Sequence, residues 1–114
     1  MHELGIAESA LDLALDQARQ AGATRVLRLV LRVGALSGVD PEALQFAFTA
    51  VLPGTAAEGA SVQIDAVPAV AYCPDCQRDF SPDTHLFFEC PACGRVCGAI
   101  KQGRELDLVR LELI

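Results

Sequence analysis

Two Cys-Pro-x-Cys pairs constrain this chain more than any other feature. They are Cys73-Pro74-Asp75-Cys76 and Cys90-Pro91-Ala92-Cys93, with thirteen residues between them. Two residues between paired cysteines let both sulfurs of one tight turn point at a single ion. Two such turns facing each other complete a tetrahedral sulfur site, the geometry Zn²⁺ takes in closed structural sites. The spacing predicts zinc held by Cys73, Cys76, Cys90 and Cys93. Iron takes sulfur knuckles of the same kind, and spacing alone does not separate the two metals.

The rest of the 114 residues must accommodate that module. Just over half of them are apolar, enough for one core of ordinary size beside a small appendage. Trp is absent, so aliphatic packing dominates. The formal charge is −6, and four thiolates on one Zn²⁺ would add roughly −2 more. Such an acidic chain suits a protein or a metal cation as partner and is poorly matched to nucleic-acid phosphates. The opening Met-His-Glu lacks a basic region followed by an apolar one, and no run reaches the eighteen or so apolar residues that span a bilayer. Cysteines in paired knuckles, with no export signal, read as thiolates of a reducing compartment. The expectation is a cytoplasmic protein with no membrane association.

Residues 4–21 carry a helical pattern. Leu4, Ala7, Leu11, Ala14, Leu15 and Ala18 recur at three- and four-residue steps, with Gly22 placed to end the helix. Residues 25–33 read as a strand with Leu27, Leu29, Leu31 and Val33 on one face. Gly34 and Gly38 punctuate the loop that follows. Asp40 as N-cap and Pro41 at the first helical position begin a second helix, whose stripe is Leu44, Ala47, Phe48 and Val51. Residues 61–67 form a second strand with Val62, Ile64 and Ala66 on one side, closed by Pro68.

Residues 105–114 read as a third strand with broken alternation: Leu106 and Leu108 share one parity, Val109, Leu111 and Leu113 the other. A bulge near Leu108-Val109 reconciles the two halves. A strand at this end of the sequence needs a sheet partner, and the other strands lie before the cysteines. The expected fold is therefore α+β, with two helices packed on a small three-stranded sheet and a zinc-ribbon-like module inserted before the last strand. The expected division is 1–68 plus 104–114 for the α/β part and 69–103 for the module. The module itself looks too small and polar to have its own core.

Four thiolates close a coordination sphere, which points to a structural rather than a catalytic ion. Cys97, the fifth cysteine, reads as a bystander, and His85 as a solvated loop residue. Arg78, Arg95, Lys101 and Arg104 are scattered among acids, unlike the clustered basic residues of nucleic-acid ribbons. Thioredoxin-like chemistry would use one reactive pair, not two matched ones.

A second set of donors stands at Met1-His2-Glu3. An α-amine with a pKa of about 8 and an imidazole of about 6.5 can both be freed for a metal around neutrality. Met1 is retained when a bulky residue follows it. The backbone amides of His2 and Glu3 lie between amine and imidazole, and nitrogen donors in square-planar geometry favour Ni²⁺ or Cu²⁺. Taken alone, His2 reads first as an exposed residue at a frayed end, and Asp40 as an N-cap satisfied by its own helix.

Taken together, these residues make the chain resemble the HypA/HybF family of hydrogenase maturation factors, the nickel metallochaperones. The likeness rests on Met1-His2-Glu3-Leu4, on Leu36-Ser37-Gly38-Val39-Asp40-Pro41-Glu42-Ala43-Leu44 leading into Phe46-Ala47-Phe48, on the two knuckles, and on Gly103-Arg104-Glu105-Leu106. It spans nearly the full length. The resemblance implies Ni²⁺ at the N-terminus, held through Met1, His2, the nearby amides and Glu3, with Asp40 at a position associated with the nickel. It implies structural Zn²⁺ on Cys73, Cys76, Cys90 and Cys93. The implied role is delivery rather than catalysis: nickel is exchanged with an accessory GTPase and handed to the [NiFe]-hydrogenase large-subunit precursor. Cys97 departs from the basic four-cysteine pattern, and the histidines that flank the knuckles in some members are absent apart from His85. The competing reading is a zinc-ribbon adaptor that binds protein or nucleic acid and no nickel. Exposed sheet edges would also permit homodimerisation through a strand.

Overall fold

A computed structural model of the chain describes residues 2–82 and 88–114; Met1, His85 and Phe87 lie outside the described residues. The order of elements is α1 (Glu3–Gln20), β1 (Val26–Gly34), α2 (Pro41–Val51), β2 (Ser61–Val67), β3 (Val70–Cys73), β4 (Arg78–Phe80), β5 (Ala99–Gln102) and β6 (Leu106–Leu113). The strands form two three-stranded sheets, ordered β2-β1-β6 and β4-β3-β5. The fold is α+β.

In the first sheet β1 is central, parallel to β2 and antiparallel to β6. Its inner face meets both helices in one core, where Phe48, Leu29, Leu44, Val26 and Val33 are the largest fully buried side chains. Full burial of each of these stabilises the fold by about 1.5–3 kcal/mol. The sheet's other face is polar: Arg28 bonds Gln63 across to β2 and lies 3.5 Å from Glu112 on β6.

Alternation alone misplaces one residue of β1. Leu27 was expected on the inner face, yet it is exposed, and Val26 is buried in its stead. The pairing with β6 shifts register between Val26 and Arg28, and this shift turns Leu27 outward. The irregularity expected in β6 is present: Val30 pairs with Arg110 and Leu31 with Leu108, so Val109 is left over and exposed.

The helix starts follow from local chemistry. Asp40 caps α2, its carboxylate accepting the Glu42 N–H at 3.0 Å, with Pro41 supplying a helical φ at no cost in hydrogen bonds. A cap of this kind contributes about 1 kcal/mol. In α1 the buried line is Ala7, Ala10, Leu11, Ala14 and Ala18, and the small alanines let α1 sit close to its neighbours. Leu4, expected on this line, is half exposed.

The second sheet corrects the expectation of a module without a core. Ala71, Cys73, Phe80, Cys90 and Cys97 are buried together, with Cys76, Phe88 and Ile100 packed against them. The two chain segments that lead into and out of this sheet cross at one point beside Gly34. Ala35 N–H donates to Val67 O at 2.9 Å, Leu36 N–H to Gly103 O at 2.6 Å, and Gly34 N–H to Glu105 O at 2.7 Å.

Candidate metal centres

The four cysteines of the knuckles come together. Their sulfurs all lie within 4.8 Å of one another, with Cys73 Sγ and Cys93 Sγ 3.7 Å apart and Cys76 Sγ and Cys90 Sγ 3.8 Å apart. A regular tetrahedron with metal–sulfur bonds of about 2.3 Å has edges of about 3.8 Å, so the donor set fits one thiolate-bound ion. A disulfide needs sulfurs about 2.05 Å apart, and all five cysteines are free.

Each knuckle is shaped by its own turn. Cys73 ends β3 and pairs with Arg78 across the first turn, and Gln77 takes a positive φ of 53° to close it. In the second, Gly94 N–H donates to Cys90 O and Cys90 N–H to Arg95 O, both at 2.8 Å. Gly94 has φ 76°, the left-handed conformation that the first knuckle forces on Gln77. Arg95 reaches back to Asp75 at 2.7 Å and so ties the second turn to the first. Lys101 pairs with Asp79 at 3.1 Å. Two of the module's cations are therefore neutralised by module acids.

The four thiols hold their protons unevenly. The Cys76 backbone N–H, directed at Cys73 Sγ, brings the Cys73 thiol down to about 6 against the opposing effect of burial. The Cys93 and Cys90 thiols, then burial, push Cys76 up to about 12. Four negative sulfurs do not coexist at this spacing unless a cation replaces the protons. Cys97 stays outside the cluster: it is buried, and its thiol donates to Arg95 O at 3.4 Å.

The N-terminal residues are arranged differently. His2 is exposed and stands at the N-cap of α1, where its carbonyl accepts from Ile6 N–H and its side chain makes no capping bond. Glu3 accepts the Asp40 N–H at 3.2 Å, so the first turn of α1 is joined to the start of α2. Glu3 and Asp40 are thereby brought together, while Met1 lies outside the described residues. Among the described residues, the cysteines are the one group of His, Cys, Asp or Glu donors gathered closely enough for an ion. The sequence places Glu3 just before the first helix and Asp40 at the cap of the second, and nothing in their spacing signals the hydrogen bond between them.

The fold and these sites define a small α+β protein with a four-cysteine metal-binding module set ahead of its last strand. The family model that matches, over residues 1–113, is described as "Hydrogenase/urease nickel incorporation, metallochaperone, hypA". The chain belongs to the HypA family. It is 46% identical over 112 residues to hydrogenase maturation factor HypA of Chloroflexus aurantiacus, with 98% of each chain covered. It is 45% identical over 114 residues to that of a Picosynechococcus species, with both chains fully covered. Its fold is similar to the solution structure of the Ni metallochaperone HypA from Helicobacter pylori, with TM-score 0.68 and 26% identity, covering 100% of this chain and 98% of that one.

Proposed function

We propose that this chain is a nickel metallochaperone that binds Ni²⁺ through its first residues and delivers it for hydrogenase maturation. The observation that carries the reading is the exposed His2 at the start of α1, followed by a Glu3 carboxylate that already reaches the Asp40 loop. The ligands are the Met1 amine, the His2 imidazole, the amide nitrogens of His2 and Glu3, and the Glu3 carboxylate, with Asp40 beside them. The first four N–H groups of a helix have no partner within it, so a metal can take those amides without breaking a helical bond. A partner can then replace donors one at a time while the core stays folded. Uptake displaces protons from these nitrogens, so affinity falls as the pH drops below neutrality.

Cys73, Cys76, Cys90 and Cys93 hold zinc. Their closed thiolate sphere leaves no open position, and the ion's contribution is to fold residues 69–103. Residues 1–68 with 104–114 make the nickel-binding domain. The partners are an accessory GTPase and the precursor of the [NiFe]-hydrogenase large subunit, met in the cytoplasm. The role is transfer rather than catalysis. Supporting the reading are the family membership and the pairing of Arg95 and Lys101 with acids, which leaves the module a poor phosphate-binding surface.

Calorimetric titration of Ni²⁺ into the wild type and His2→Ala tests this. His2→Ala should weaken nickel binding by about a hundredfold or more, with zinc content unchanged. Equal affinity in the two proteins would favour the zinc-ribbon adaptor.

A further inference from the structure

One edge of the first sheet is open beside α1. β6 pairs with β1 on one side, and among the described residues no strand lies on the other. A groove runs between this edge and α1 in two stretches, the first mainly apolar and the second mixed, that share Leu13, Leu106, Asp107 and Leu108. The first, about 430 Å³, has His2, Gly5 and Ile6 on its helix side. The second, about 600 Å³, continues past Gln17 to Leu113. Leu13 is 55% exposed and Val109 48%, so apolar side chains on both sides of the groove stand in water. Gly5 contributes a low wall: a Cβ there would meet nothing within 4 Å, although Ala would suit a helix better by about 1 kcal/mol.

The exposed side of α1 and the first stretch of the groove are acidic. Glu8, Asp12 and Asp16 follow at four-residue steps along the exposed side of α1. Asp107 lines both stretches, and no Lys or Arg lines the first. Arg110 lines the second, and Arg19 is engaged by Asp16.

We propose that this groove takes an extended segment of a protein partner, added to β6 as a fourth strand, with apolar residues at alternate positions and Lys or Arg between them. An edge strand presents a row of unpaired N–H and C=O groups, which calls for another strand rather than a helix. Every second side chain of that strand points into the groove, toward Ile6, Leu13 and Leu108. The intervening ones meet the open face of the sheet, where β6 presents Asp107 and Glu112 on either side of Arg110, and basic residues of the added strand lie beside those two acids. A second copy of this chain fits less well. Its β6 brings Asp107 and Glu112 with the single cation Arg110, on a chain of formal charge −6. Because His2 lines the first stretch, a seated segment lies beside the terminus assigned to nickel. That consequence rests on the nickel reading; the docking does not.

The test titrates the isotope-labelled full chain, zinc-loaded and free of nickel, with two fluorescent heptapeptides. One is Lys-Val-Arg-Val-Lys-Val-Arg and the other is Glu-Val-Asp-Val-Glu-Val-Asp. The basic peptide should bind saturably and at least about tenfold tighter than the acidic one, slowing amide exchange along β6 and shifting the Leu13 resonances. Leu13→Arg, at an exposed position, should weaken it by about tenfold with circular dichroism and zinc content unchanged. Equal binding of both peptides, shifts confined to another surface, or indifference to Leu13→Arg overturns the proposal. So does protection of β6 without peptide in a species of doubled mass, which would assign the edge to a second copy. With no nickel present, failure here leaves the nickel reading standing.

Discussion

Replacing Cys73 by Ser is expected to empty the four-cysteine site and unfold residues 70–102, while the sheet of β1, β2 and β6 with its two helices stays folded. The strands of the module are only four, three and four residues long. Its buried cluster is Ala71, Cys73, Phe80, Cys90 and Cys97, so two of the five core residues are themselves proposed ligands. A core of that size does not offset the entropy of ordering the segment, and fragments below about 40 residues need a staple. Zinc in comparable small sites contributes about 10–16 kcal/mol of apparent binding free energy near neutral pH. A serine hydroxyl is no replacement for a thiolate. Zinc analysis should fall from one ion per chain to near none, and hydrogen exchange should lose protection in β3 to β5 but not in β1 or α2. Cys97→Ala is the companion, expected to keep its zinc because that sulfur lies outside the cluster. Full zinc content and unchanged exchange in Cys73→Ser would refute the assignment.

Gly34→Ala is expected to be the most damaging single methyl in the part built from the first sheet and the two helices. Gly34 does not have a positive φ; what it lacks is room. A Cβ at this position would collide with the Gly103 carbonyl and lie 2.7 Å from Glu105 N, backbone atoms that cannot swing aside like a side chain. Gly103 has φ 119°, and a Cβ on it would stand 2.8 Å from Ala69 Cα. The two connecting segments thus cross the end of β1 with no space for a side chain, locked by the hydrogen bonds to Gly34, Ala35 and Leu36. Forcing them apart should cost about 2–4 kcal/mol and lower the melting temperature on the order of 10 °C. Gly5→Ala, where space is open, should instead leave the melting point unchanged or raise it slightly. A Gly34→Ala protein that melts like the wild type would show that the segments yield without loss.

Much of this architecture is legible in the sequence, where one residue type has one physical use. Asp40-Pro41 placed the start of α2 correctly because an N-cap carboxylate and a proline without an N–H suit that end alone. The alternation of Val62, Ile64 and Ala66, closed by Pro68, marked β2 at its observed bounds. The four-cysteine cluster was legible for a similar reason, since two knuckles specify both ligand type and spacing.

What escaped depends on neighbours. Leu27 fits the inner face by parity, but parity does not reveal a register shift that arises only when β6 pairs. The strands of the second sheet have no hydrophobic period to betray them, because turns and sulfurs position them. Gly34 looked like ordinary loop punctuation, since what crowds it lies about 70 residues further along the chain. The bond from Asp40 N–H to Glu3 and the groove beside β6 are likewise products of packing between distant segments.

The most direct test of the central claim is calorimetric titration of Ni²⁺ into the zinc-loaded protein in two forms: one with its amino terminus at Met1, the other with a single residue added before it. The added residue removes the terminal amine from its place next to the His2 amide and leaves His2, Glu3, Asp40 and the cysteines untouched. Tight uptake of one nickel ion by the first form, a loss of about a hundredfold or more in the second, and equal zinc in both are the predicted results. Equal nickel affinity in the two forms would contradict binding through the terminus.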